Sequence, residues 1–287
     1  MKREYLLFFF ICLFYACSKE EDVTPSGLDQ NIFASPDFSS EEEWAIRCDF
    51  FEQTGVYLIF NDSLCYRNVT TPQGTYPMCE MLNLQYEITS WAAHDIEYTL
   101  LTDIREKEEM AHVLANEVLT MLPKELYPYA FFVADDFLFG MSTGWFNEPL
   151  IATASWGCYR ATIVGTNDFL EMNETERYRY KRSILRGILI KTWSLLDESV
   201  YDEFFAYCEG LYGEYHDYSE SVMELGWLDV CSDFDYYEKE YDMMGYIMEI
   251  FSMTNEEFEQ KYAKYPIVLQ KQDALVRVLE RLGVQVY

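Results

Sequence analysis

Residues 173–196 read NETERYRYKRSILRGILIKTWSLL, and the apolar spacing in this stretch decides the fold. Leu185, Ile188, Leu189, Thr192 and Leu196 recur every three or four positions, the repeat of one helix face. Ile184, Trp193 and Leu195 lie beside that face. A helix over 174–196 is therefore apolar around much of its circumference, as suits the centre of a core.

Downstream the chain stays helical. Helices are predicted over 199–212, 236–252, 255–265 and 266–282, with Gly283 as the residue that ends the last one. Upstream, Ser39 or Ser40 caps a helix whose first turn is Glu41-Glu42-Glu43, favourable for the helix dipole. Trp44, Ile46, Cys48, Phe50 and Phe51 supply its apolar positions, and Gly55 stops it. Val56 to Phe60 follows as a strand. Residues 63–90 read as irregular, with a Thr-Pro-Gln-Gly turn at 71–74. A helix over 106–122 places Met110, Val113, Leu114, Val118, Leu119 and Leu122 on one face and ends at Pro123. Tyr129 to Val133, Leu150 to Trp156 and Tyr159 to Val164 are predicted strands, the last two joined by a turn at Gly157-Cys158. No internal repeat is present. The expected class is α+β: a small strand region, then a mostly helical C-terminal half around one central buried helix.

Half of the 287 residues are hydrophobic and 25% are charged, enough to bury a core and too apolar for a disordered chain. The 50 Asp+Glu against 21 Lys+Arg give a formal net charge of -29. Such a polyanion repels nucleic-acid phosphates and anionic lipid, so no nucleic-acid partner is expected.

The start of the chain reads as an address. Lys2 and Arg3 precede an apolar run from Leu6 to Phe14, and Ala16 precedes Cys17. The run is too short for a spanning helix and has the layout of a secretory signal. Cys17 directly after the small residue marks a lipidation site. Ser18-Lys19-Glu20-Glu21-Asp22 then resembles the export signal of surface lipoproteins in the Bacteroidetes. The expected organisation is a signal peptide over 1–16, lipidated Cys17 with a tether over 17–38, and a single domain over 39–287. The domain would hang from the outer membrane and face the cell exterior. Asp62-Ser63-Leu64 resembles the short O-glycosylation signal of secreted proteins from the same bacteria.

Six further cysteines remain beyond Cys12 and Cys17: Cys48, Cys65, Cys79, Cys158, Cys208 and Cys231. None forms a CxxC pair, so a zinc ribbon or a thioredoxin-like site is not indicated. The cell surface permits disulfides, and the sequence leaves both pairing and free thiols open.

The order of elements resembles zinc metallopeptidase lipoproteins of the Bacteroidetes associated with outer-membrane nutrient import. The resemblance rests on the lipobox, on the opening helix that runs into Thr54-Gly55-Val56-Tyr57-Leu58-Ile59-Phe60, and on the long helix. It rests also on the later Glu240-Tyr241-Asp242-Met243-Met244 and on Tyr265-Pro266 before the last helix. It implies a zincin-like fold, a zinc ion, and an H-E-x-x-H motif on the long helix whose two His bind the metal while the Glu serves as base. Here Arg186, Gly187 and Ile190 stand at those three positions, and Met243 stands where the family has its third ligand. None of the first three can perform the family's role, and the chain has only His94, His112 and His216. The resemblance thus implies a zincin-like relative without a catalytic residue and without its zinc, kept as an accessory or binding subunit in glycan or peptide uptake.

Two other readings stay open. One is an active zinc hydrolase with other ligands, such as His216 with Asp217 and Glu220. The other is a glycan-binding surface protein. Residues 197–242 hold 15 Asp/Glu, a single Lys and eight Tyr. Aromatic faces stack on sugars and carboxylates accept hydroxyl hydrogen bonds, which makes Tyr212, Tyr215, Tyr236 and Tyr237 candidate contacts. Asp233, Asp235 and Glu238 offer oxygens to Ca²⁺ but lack the spacing of a calcium loop.

Overall fold

Strand β5 (Ala130–Met141) is the spine of the sheet. In the computed structural model, which describes residues 31–36, 39–82, 94–141, 155–156, 161–166, 169–215, 222–228 and 236–287, Phe131, Phe132, Val133 and Ala134 have no solvent exposure. A continuous apolar run suits a strand buried on both faces between parallel neighbours. β1 (Tyr57–Ile59) pairs parallel with its start, Leu58 opposite Phe131. β7 (Ala161–Gly165) pairs parallel on the other edge, Ile163 opposite Phe132. β4 (His94–Leu100) runs antiparallel along the second half of β5. β6 (Ser155–Trp156) closes the far side antiparallel to β7. β2 (Ser63–Thr71) and β3 (Gly74–Met81) form a separate antiparallel ribbon. The architecture is α+β.

Among the described residues, the α-helices of eight residues or more are α1 (Glu41–Thr54), α2 (Ile104–Val113), α3 (Glu174–Thr192), α4 (Lys239–Ser252), α5 (Asn255–Tyr262) and α6 (Pro266–Arg281), all within the unit Phe33–Tyr287. Residues 1–30 fall outside the described residues, and with them the expected signal peptide and Cys17. Helix α3 is the predicted central helix. Asn173 and Glu176 close a reciprocal capping box at its start. Ile184, Leu185, Ile188, Leu189 and Thr192 are buried. α3 packs against α4 and against β6 and β7, and a 3-10 turn over Trp193–Leu195 ends it, leaving Leu195 exposed.

Other boundaries follow their local chemistry. Ser40 accepts from the Glu43 amide at the start of α1, and Gly55 ends it at φ 77°, a conformation that glycine adopts without strain. The helix predicted over 106–122 is regular only to Val113. A π-turn over Leu114–Val118 and a 3-10 turn over Leu119–Met121 continue it. All six predicted apolar residues of that stretch are buried. Residues 199–212 are a chain of short helical turns over Glu198–Cys208, not one helix.

Three expectations need correction. Residues 63–81 are not irregular. The predicted turn is present, and strands β2 and β3 flank it from Thr71 opposite Gly74 to Ser63 opposite Met81, with a shift of register between Cys65 and Arg67. Cys65 and Cys79 face each other and form a disulfide. Second, the buried face of α1 is not the apolar set read from the sequence. Cys48 and Phe51 are exposed, whereas Arg47 is buried beside Phe50. The Arg47 guanidinium donates to the carbonyls of Leu58, Phe33 and Ser35 at 2.9, 3.2 and 3.2 Å and to Ser39 Oγ at 3.2 Å. These bonds offset the cost of burying its charge. Third, β5 extends well past Val133, because β4 pairs with its second half. Of the strand predicted over 150–156 only Ser155–Trp156 is described, and the Gly157-Cys158 turn lies outside the described residues.

Candidate functional site

Of the four positions that the resemblance assigns to zinc, Arg186, Gly187 and Ile190 lie on α3 and Met243 lies on α4, two helices that pack against each other. Ile190 packs against the core and Met243 is wholly buried within it. Gly187 is half-buried, and so is Arg186. Burial holds the Arg186 guanidinium below its ordinary pKa, and the Glu249 carboxylate on α4 acts in the other direction. This donor set does not fit zinc. A guanidinium has no lone pair to give, Ile and Gly have no donor, and a thioether is a soft ligand that suits other metals. Among the described residues no three His, Cys, Asp or Glu side chains are grouped to hold a metal ion. His112 lies on α2 and His94 on β4. His216, Asp217, Glu220, Asp233 and Asp235 lie outside the described residues.

One residue before Met243, Asp242 points into a polar cage that the sequence reading missed. Lys271 Nζ, on α6, donates to Asp242 Oδ1 and Oδ2 at 2.7 and 2.6 Å, and both side chains have no solvent exposure. Lys271 Nζ also contacts the Gly226 carbonyl at 3.1 Å and Cys208 Sγ at 2.9 Å. Tyr212 donates to Asp242 Oδ2 at 2.5 Å. The rings of Phe204, Tyr246 and Trp227 surround the ammonium at 4.7, 5.0 and 5.8 Å, where their π faces favour a cation. Burial pushes the Asp242 carboxyl above its ordinary pKa, while the Lys271 charge and the bonds from Lys271 and Tyr212 act against that shift. Burial also raises the Tyr212 phenol, and the adjacent Asp242 charge adds to the shift. Lys271, Asp242, Tyr212, Cys208 and the Gly226 carbonyl are thus linked in one network of contacts.

The candidate tyrosines lie over this cage. Tyr215 and Tyr236 form a β-bridge, and their rings meet edge to face at 5.7 Å. Both are exposed, at 61% and 51%. Tyr237 is buried against Trp227 with ring centroids 4.9 Å apart. Tyr212 is half-buried and belongs to the cage. The structure therefore brings all four together but leaves only Tyr215 and Tyr236 open to a ligand. Glu238, the residue before α4, is exposed.

A cleft of about 150 Å³ opens just past the end of β7, beside Asp135 in β5. Glu106, Glu109, Asp135 and Glu171 line it beside Thr166 and Phe169. Thr166 Oγ1 donates to Asp135 Oδ1 at 3.2 Å and to the Asp135 carbonyl at 3.1 Å. The walls are acceptors and an aromatic edge, hostile to anions. No protein-family model, no curated protein and no solved structure matches this chain. The chemistry of these sites therefore rests on their own residues.

Proposed function

We propose that this chain is a surface-anchored outer-membrane lipoprotein of zincin-like descent that has lost zinc hydrolysis and serves as an accessory or binding subunit in glycan or peptide uptake. The observation that carries the reading is the packing at the degenerate positions. Ile190 packs against the hydrophobic core and Met243 lies within it, which supports the reading that packing has replaced zinc ligands at the positions the resemblance assigns to the metal. The Cys65–Cys79 disulfide supports an oxidising, extracytoplasmic address. The anchor is Cys17, and the partner on the membrane side is a nutrient-import complex.

The exposed Tyr215 and Tyr236 favour glycan as the ligand, since each offers a ring to a sugar face and a hydroxyl to its rim. The test is binding of soluble glycans and peptides to the purified domain, run beside a peptidase assay. The reading expects binding that falls at least tenfold in Tyr215→Ala/Tyr236→Ala, with no chelator-sensitive hydrolysis. Hydrolysis that a chelator abolishes contradicts it.

A further inference from the structure

We propose that Lys271 and Cys208 are the two ends of a covalent N–O–S bridge, formed by dioxygen inside the buried cage. The two side chains belong to segments 63 residues apart in sequence, and Cys208 is 1% exposed. Nζ and Sγ are 2.9 Å apart, a close approach for an ammonium and an atom as large as sulfur. The thiol is aimed away from the amine: Cys208 Sγ donates to the Leu225 carbonyl at 3.4 Å. Its lone pairs are then free to face Nζ. Gly226 presses the segment onto the pair. Its φ is +83°, and a Cβ there would meet Cys208 Sγ at 3.5 Å and an Ile267 side-chain carbon at 3.2 Å.

The cage supplies what the reaction needs. Dioxygen is small and apolar and enters the apolar surroundings of the pair, formed by the rings of Phe204, Tyr246 and Trp227. Asp242, 2.6 Å from Nζ, takes the proton that the ammonium must lose. In the net reaction the S–H bond and two of the ammonium N–H bonds break, one S–O bond and one O–N bond form, and the O=O bond is cleaved. Sulfur gives up two electrons and nitrogen two, and the four reduce dioxygen. One oxygen atom bridges S and N. The other leaves as water with two hydrogens, and the remaining proton stays on Asp242. The product replaces a buried ion pair by neutral groups, which a low-dielectric site favours. The bridge would tie the turn that carries Tyr212 to α6.

The full chain, purified in air, is compared with a sample held under reductant. Both are denatured, alkylated, digested and mapped by mass spectrometry. The expected result in air is a linked pair of peptides holding Cys208 and Lys271, heavier than the two free peptides by one oxygen less two hydrogens. Reductant releases it, and the exposed thiol Cys48 is alkylated in both samples as the internal control. Lys271→Gln or Cys208→Ser abolishes the linked species. Full alkylation of Cys208 in the air sample overturns the proposal. So does a Cys208 found in a disulfide, or as a sulfinic or sulfonic acid with Lys271 unmodified, or joined to Lys271 without the oxygen. Mapping the wild-type chain decides the matter even if neither variant folds.

Discussion

The two faces of α4 contrast. On one side Met243 is wholly buried in the hydrophobic core to which the apolar residues of α3 belong. Toward α6 the helix presents Asp242, paired with Lys271 where neither side chain is exposed to solvent. Adjacent residues on one helix thus serve different ends, one apolar packing and the other a buried ion pair. The lesson is that polar groups gathered in a core need not be a substrate site. Lys271 and Asp242 have no solvent exposure and satisfy each other.

The apolar side breaks with the largest expected effect. Leu189→Asp puts an unpaired carboxylate into a fully buried position. It should cost several kcal/mol, of the order of the whole folding stability, and chemical denaturation would show a chain largely unfolded. A variant with unaltered thermal stability would place α3 on the surface.

The polar side should come next. Lys271→Met leaves Asp242 buried without its counter-ion, at a cost of about 3–5 kcal/mol. The double variant Lys271→Met/Asp242→Leu removes both charges and should recover most of that loss. A double variant no better than the single one would mean that the cage, not the charge balance, sets the cost. Denaturant midpoints with unchanged slopes are the measurement.

A smaller effect should appear at a helix start. Thr254 and Glu257 form a capping box on α5, and Thr254→Ala should cost about 1 kcal/mol. The smallest concerns the rim of the cage. Glu203 accepts from Arg277 and Arg281 on α6, and the bonds and charges of these two arginines hold its carboxyl below the ordinary range. A depressed carboxyl contributes stability above its unfolded pKa and loses it as pH falls through the lowered value. Glu203→Gln should therefore lower stability slightly at neutral pH and flatten its fall in acid, where variant and parent converge. The pair is exposed and screened, so a large effect would be a surprise.

What was legible follows from what leaves a periodic trace. The buried face of α3 was readable because helix burial repeats every three to four residues. Gly55 and Gly283 were readable because their φ values, 77° and 93°, are ones that few other residues accept. The β2–β3 ribbon left no such trace. It buries neither face along most of its length, with Val69, Tyr76 and Met78 exposed, so polar and apolar residues do not alternate. Only its turn announced it. Arg47 was missed because its partners are mainly backbone carbonyls, which carry no sequence signal. The Lys271–Asp242 pair was missed because its members lie 29 residues apart on different helices, with no spacing rule to join them. The candidate tyrosines were found by composition, yet composition could not tell the exposed Tyr215 and Tyr236 from the buried Tyr237.

The central proposal is that packing at the α3–α4 contact stands where the resembled family would hold zinc. Its most direct test is the zinc content of the purified mature chain after incubation with zinc and removal of the excess. The account predicts no stoichiometric zinc, and no change in content on Arg186→Ala or Met243→Leu. One zinc per chain, lost together with peptidase activity on chelation, would contradict it.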